Sequence, residues 1–255
     1  MKKFLSIIIL CFVVSINAYA KDMRFVQITD VKYDTANKDN FSALIRDVNK
    51  QKNVSFVVFT GDNIQKPDKN NLKSFLKEAD KLKKPYYMVL GDKDVNKHKK
   101  LSKKTYVKYA KKHFKHNNTN YLFESNDVVF FVIDGSRDVF PGSAGYYKDS
   151  TLEWLDSNIA SYPNKNIIIL QHFPIIPPNN NESYMTFKPE KYLEILNEHK
   201  NIKAVISGHY GVNKEQTVNG IVHISTAPAP NYRIIDVMNC DTDNPEIWAE
   251  VKEAE

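Results

Sequence analysis

Disulfides do not hold this chain together. It has two cysteines in 255 residues. Cys11 lies in an apolar stretch expected to be cut away, which leaves Cys240 without an internal partner. A lone thiol near the C-terminus reads as a small buried residue rather than a reactive one. Folding must therefore rest on an apolar core. Several catalytic frameworks are missing too. The chain has neither a phosphate-cradling P-loop nor a dinucleotide fingerprint. Ser143 has no serine-hydrolase elbow around it and no evident histidine partner. No tandem repeat, low-complexity linker or internal domain boundary interrupts the sequence.

The start of the chain reads as an export signal. Lys2 and Lys3 precede an almost uncharged run from Phe4 to Ile16, followed by Ala18-Tyr19-Ala20. The run falls short of the ~20 residues that span a bilayer. Cleavage after Ala20 is expected, with residues 21–255 as one domain in the bacterial periplasm or outside the cell, and with no integral membrane segment. The remaining 235 residues suffice for a full core. The formal charge of +6 falls to +4 when Lys2 and Lys3 leave, a balance that suits anionic ligands. Oligomeric state leaves no mark in the sequence.

What is present is one repeated pattern. A run of β-branched and aromatic residues ends in a short polar or glycine-containing turn. Met23 to Thr29 leads into Asp30-Val31-Lys32, Val54 to Thr60 into Gly61-Asp62, and Tyr86 to Leu90 into Gly91-Asp92-Lys93-Asp94. Ile167 to Gln171 leads into His172, and Ala204 to Ser207 into Gly208-His209-Tyr210-Gly211. Such runs read as strands buried on both faces. Apolar periodicity predicts helices over Phe41 to Lys50, Leu72 to Leu82, Ser150 to Ile159 and Pro189 to His199. Hairpins are expected around Ser125-Asn126-Asp127 and Asn219-Gly220, with a strand at Tyr232 to Val237. The alternation predicts an α/β fold.

Ligands of open α/β sheets bind beyond the carboxyl ends of the strands. Five such ends carry Asp30, Asp62, Asp92, His172 and His209. Side by side, these carboxylates and imidazoles would converge on a divalent metal such as manganese, zinc or iron. Glycine stands directly before Asp62, Asp92 and His209, which permits the turns that aim them outward.

On these residues the chain resembles the calcineurin-like metallophosphoesterases, from Arg24 to about Val237. The resemblance implies a two-sheet α/β/β/α sandwich and phosphoric ester hydrolysis, of monoesters or diesters, by a two-metal centre. It also implies that one metal would sit at the positions of Asp30, Lys32, Asp62 and Gly211, where the family has Asp, His, Asp and His, so two of its four ligands are missing. The other would use Asp62, Asp92, His172 and His209, all still able to bind metal. The family's proton-donating histidine is replaced by Lys93.

Asp30, Asp62 and Asp92 bring a charge of −3. Like charges ~4 Å apart repel by about 4 kcal/mol at an effective dielectric constant near 20. Lys32 and Lys93 leave −1 without metal and +1 with one divalent ion. Two readings follow. In the first, one ion sits on Asp62, Asp92, His172 and His209, with Asp30 as a further ligand or the water-orienting base. Lys93 and Asp94 then stand among the catalytic groups, and Lys32, Lys93 and Tyr210 bind a small phosphorylated or anionic substrate. In the second, ion pairs replace metals altogether, and a catalytically inactive descendant binds an anion or partner.

From Lys93 to Lys115 the chain holds ten lysines, with His98, His113 and His116. A basic flap over the site is one reading. The favoured one is a solvated helix face around Tyr106, Tyr109, Ala110 and Phe114, which makes nucleic acid an unexpected partner. Tyr146 and Tyr147 either line the pocket or pack beneath it. His199 and His223 read as structural.

Overall fold

A computed structural model describes residues 21–111 and 118–254. The expected export signal lies outside the described residues, as do His113, Phe114, Lys115 and His116. Among the described residues no helix is long and apolar enough to cross a membrane.

The parallel runs that end in the aspartates form the middle and one edge of the first sheet. These are β1 (Met23–Ile28), β2 (Val54–Thr60) and β3 (Tyr86–Val89). On the far side of β1, the antiparallel strands β10 (Asn231–Met238) and β11 (Glu246–Glu253) complete the order β11-β10-β1-β2-β3. The second sheet contains β4 (Tyr121–Ser125), β5 (Val128–Val132), β6 (Asn166–Leu170), β7 (Ile202–Ser207), β8 (Lys214–Val218) and β9 (Ile221–Ser225). Its order is β4-β5-β6-β7-β9-β8, parallel except at its edge strands β4 and β8.

The alternation of side chains along each strand explains the layers. Phe25 and Phe56 point between the sheets and meet Phe130 of β5 edge-on, with ring centroids 5.5 and 5.1 Å apart. Phe59, on the opposite face of β2, meets Phe41 of α1 (Lys38–Val48) and Phe75 of α2 (Lys69–Ala79). Phe131 turns outward to Trp154 of α4 (Asp149–Ile159), beside α5 (Glu190–Glu198). Both faces are thus dry along the central strands β1, β2, β5, β6 and β7, which is why these read as unbroken apolar runs. The result is the expected α/β/β/α sandwich.

Several boundaries depart from the periodicity. α1 and α2 begin three residues earlier than their apolar stripes, because their first turns are polar; Asp68 caps α2 by accepting from the Asn70 and Asn71 amides. α3 (Lys103–Tyr109) places Tyr106 in the core and leaves most of its lysines to solvent. Strand β11 lies beyond the span of the resemblance. Its charged residues obscure any strand pattern, and it forms by pairing along the whole of β10. Cys240 is buried, and burial pushes its thiol up to about 11.

Candidate metal centre

The two sheets bring five strand ends to one rim. Asp30, Asp62 and Asp92 follow β1, β2 and β3, and His172 and His209 follow β6 and β7. Hydrogen bonds across the sheets fix this meeting. Gln27 donates to the Ser207 carbonyl at 2.8 Å, and the His209 amide donates to Asp30 Oδ2 at 3.0 Å. Asp30, Lys32, Asp62 and His209 all adopt left-handed backbone, with φ of 51°, 47°, 51° and 71°. Such conformations cost non-glycine residues roughly 1–3 kcal/mol each and cluster at functional sites. The Asp30 and Lys32 amides offset this by donating to the carbonyls of Gly61 and Asp62. Two glycines are required by contact alone. A Cβ at Gly91 would lie 2.3 Å from Asp62 Oδ1, and one at Gly208 would lie 1.9 Å from Thr29 Oγ1.

Three ligand-type atoms surround His172 Nε2. His172 Nε2 lies 3.2 Å from His209 Nδ1, 3.5 Å from Asp62 Oδ1 and 3.6 Å from Asp92 Oδ1. His209 Nδ1 lies 3.4 Å from Asp92 Oδ1. His172 Nδ1 is 2.7 Å from the Thr60 carbonyl, which can only accept, so this nitrogen carries a proton and the Nε2 lone pair is the one available for ligation. Asp92 Oδ1 is buried without a hydrogen-bond partner, an arrangement that costs free energy unless a cation satisfies it. Two imidazole nitrogens and two carboxylate oxygens suit a borderline divalent ion. Asp92, His172 and His209 therefore fit one ion, with Asp62 Oδ1 beside His172. Asp30, Asp62 and His172 form a second convergent group.

That second group already carries ammonium charge. Lys32 Nζ lies 3.1 Å from Asp30 Oδ1. Lys93 Nζ spans Asp62 Oδ2 at 2.7 Å and Asp92 Oδ2 at 3.4 Å. Oδ2 of both Asp62 and Asp92 thus meets the Lys93 ammonium. Asp92 Oδ1 faces both histidines, while Asp62 Oδ1 faces His172 and accepts from the Lys93 amide at 2.9 Å. Burial by itself would lower the Lys93 pKa, but the charges of Asp62 and then Asp92 outweigh it and hold the group well above its ordinary value. For Asp92, burial pulls upward, yet the close imidazoles of His172 and His209 and the Lys93 charge bring its pKa far below the usual carboxylate range. Asp30 is likewise lowered: burial opposes, and His172 and Lys32 prevail.

His172 follows the same logic with opposite sign. Burial lowers it, but Asp62, Asp92 and Asp30 raise it to about 9, from 6.5. Without metal the ring is protonated at neutral pH. The raised folded-state pKa stabilises metal-free protein fully below about pH 6.5, and this contribution is lost as pH rises through about 9. Denaturation of the chelator-treated protein should show that decline, and His172→Gln should abolish it. A pH-independent midpoint between 6.5 and 9 would contradict the charge account. Because a ligating His172 must lose this proton, apparent metal affinity should rise about tenfold per pH unit up to about 9.

The remaining candidates are placed as follows. Asp94 is fully buried, and its carboxylate accepts from the amides of Asn63, Ile64 and Gly91 and from the Asn63 side chain, at 2.8–3.1 Å. It joins the Asp62 loop to the Asp92 loop and has no oxygen free for substrate. Asp94→Asn would turn an amide N–H2 against two of these donors, and a loss of about 2–4 kcal/mol is expected in chemical denaturation. A loss under about 0.5 kcal/mol would show that the loops do not depend on this carboxylate. Tyr210 packs its ring against Tyr184 and His209, and its hydroxyl donates to the Asn181 carbonyl at 3.4 Å. Gly211 is exposed with φ of +72°, and open space surrounds its missing Cβ. Tyr147 is buried and donates to the Phe173 carbonyl, whereas Tyr146 meets Phe187. His199 pairs with Asp156, and His223 is buried away from the rim. Tyr184, whose ring stands 4.8 Å from His209, gave no signal in the sequence because its loop lacks periodicity.

Comparison with known proteins bears on the family and the fold. The family model described as calcineurin-like phosphoesterase matches residues 23–212. A dimetal phosphatase from Danio rerio is similar in structure, with 16% identity and a TM-score of 0.70, over 89% of this chain and 98% of that one. Purple acid phosphatase PPD1 from yellow lupin has 13% identity and a TM-score of 0.61, over 92% of this chain and 52% of that one. GAP50, the anchor in the inner membrane complex of Plasmodium, has 16% identity and a TM-score of 0.59, over 92% and 89%. No curated protein sequence matches the chain. At these identities the solved structures speak for the fold alone.

Proposed function

Since the chain belongs to the calcineurin-like phosphoesterase family, we propose that it hydrolyses phosphoric esters outside the cytoplasm with one divalent ion per chain. The partition of carboxylate oxygens is the observation that carries this reading. Asp92 turns Oδ1 towards His172 and His209, Asp62 turns Oδ1 towards His172 and the Lys93 amide, and Oδ2 of both faces the Lys93 ammonium. One cation position keeps its full donor set, while ammonium groups stand beside the oxygens of the other.

When bound, a divalent ion supplies Lewis acidity, polarising a phosphoryl oxygen and making water a better nucleophile near neutral pH. The chain's own groups do the rest. Asp30 stays ionised and accepts a hydrogen bond from the attacking water, orienting it and drawing off its proton. Lys32 and Lys93, about one third exposed at the rim, stabilise charge on the phosphoryl oxygens. Lys93 holds its proton too tightly to protonate the leaving oxygen. Hydrolysis should therefore depend steeply on the leaving group. Activated aryl esters should turn over with manganese or zinc far faster than alkyl esters, and His209→Ala should abolish the turnover. A rate indifferent to leaving-group pKa would contradict the role given to Lys93.

A second reading has its own support. Lys32 and Lys93 already neutralise much of the aspartate charge, and an anchor protein shares the fold. A catalytically inactive protein that binds an anion at this rim would show phosphate binding and no turnover with any metal.

A further inference from the structure

The first sheet ends on a strand with one side unused. Among the described residues β11 pairs with β10 alone, over its whole length and in unbroken register. The Ala254 amide continues that ladder by donating to the Pro230 carbonyl at 3.1 Å. In an antiparallel pair, successive residues turn their backbone groups alternately towards the partner strand and away from it. Counting back from Ala254, Glu246, Trp248, Glu250 and Lys252 therefore turn theirs to β10, and Ile247, Ala249 and Val251 turn theirs outward. An outward row of amides and carbonyls is a template for a further strand. The Ala249 carbonyl accepts from Arg233 Nη1 at 3.2 Å and keeps its second lone pair. Trp248 is 63% and Val251 41% exposed, one on each face of the strand. Charged side chains commonly blunt such an edge, and β11 carries Glu246, Glu250, Lys252 and Glu253. Their order, however, repels most registers and favours one.

We propose that β11 pairs with β11 of a second copy of this chain, antiparallel and centred on Ala249, so that two five-stranded sheets become one. A two-fold axis at Ala249 sets Glu246 of each copy against Lys252 of the other, Ile247 against Val251, and Trp248 against Glu250. Opposite charges meet at both ends of the ladder, and apolar side chains meet on the face that packs towards the second sheet. Ile247, Ala249 and Val251 are the residues with outward backbone groups, so these pairs exchange both N–H···O bonds. The two Trp248 side chains stand diagonally across the axis, a separation of ~7–8 Å that aromatic rings can bridge. Neighbouring registers that keep the faces together are worse. A centre at Trp248 opposes Glu246 to Glu250, and a centre at Glu250 opposes that residue to its own copy. In a single copy Lys252 pairs with Glu250 of its own strand. That exposed pair contributes little, so Lys252 is available to the other copy.

Sedimentation velocity from about 1 to about 200 µM reads dissociation constants from micromolar to submillimolar. Over that range the protein should pass from monomer to dimer. Lys252→Glu places glutamate against glutamate at both ends and should raise the dissociation constant at least about tenfold. Glu246→Lys/Lys252→Glu exchanges the signs and should return it to within about threefold of the wild type. Ala249→Pro removes an amide that β10 does not use, at an edge position where proline is tolerated. It should leave a monomer with the wild-type circular dichroism spectrum. None of these residues lies at the rim, so metal content should match the wild type in every variant and report that the fold is intact. A dimer indifferent to both Lys252→Glu and Ala249→Pro would place the interface elsewhere and overturn the pairing. A charge exchange that fails to restore the dimer would overturn it too. A wild-type protein that stays monomeric throughout would overturn it and leave the edge to a strand of another protein.

Discussion

His172→Ala is expected to strip the protein of retained metal and to lower its turnover by at least about a thousandfold. Loss of an outer-shell partner typically costs metal sites about 10–100-fold, and His172 is itself a ligand candidate. It belongs to both convergent groups at the rim, is fully buried, and has its Nε2 aimed by the bond between Nδ1 and the Thr60 carbonyl. The substitution also leaves Thr60 without that donor, which costs about 1–3 kcal/mol. His172→Gln retains a donor and therefore separates loss of ligation from loss of fold. Mass spectrometry after desalting reads the metal, and hydrolysis of an activated ester reads the turnover. Wild-type metal content in His172→Ala would remove this imidazole from the centre.

A second ion should appear in Lys32→His/Gly211→His, raising metal content from about one to about two per chain. Asp30 and Asp62 already converge with His172. The double substitution supplies the two imidazoles that the family pattern places there and removes the ammonium from Asp30. Lys32 is already left-handed, so histidine adds no new strain at that position. At Gly211, with φ of +72°, histidine costs roughly 1–3 kcal/mol, but its Cβ meets nothing within 4 Å. At neutral pH the change removes one positive charge beside Asp30, which increases the demand for a cation. A content that stays at one would mean that Lys93, bonded to Asp62 Oδ2, closes the position by itself.

The legible parts of this molecule were those with a physical pattern. Strands buried on both faces announce themselves as unbroken apolar runs, and their abrupt ends located Asp30, Asp62, Asp92, His172 and His209. The family resemblance supplied the second sheet, since strand order is not written in any local run. Strand β11 stayed hidden because half its residues are charged, and it exists only through its pairing with β10. The tie made by Asp94 stayed hidden as well, because its partners lie 30–31 residues away at Asn63 and Ile64 and only three away at Gly91. Charge counting required something positive beside the aspartates and left Lys32, Lys93 and a metal ion open. It could not divide the oxygens, and the proposal of one ion rests on the orientation of each carboxylate.

Metal content is the most direct test. The mature protein, incubated with manganese or zinc, desalted and measured by mass spectrometry, should hold about one ion per chain. Two ions would show that Lys32 and Lys93 yield their places, and none would show that the lysines and a protonated His172 replace metal altogether.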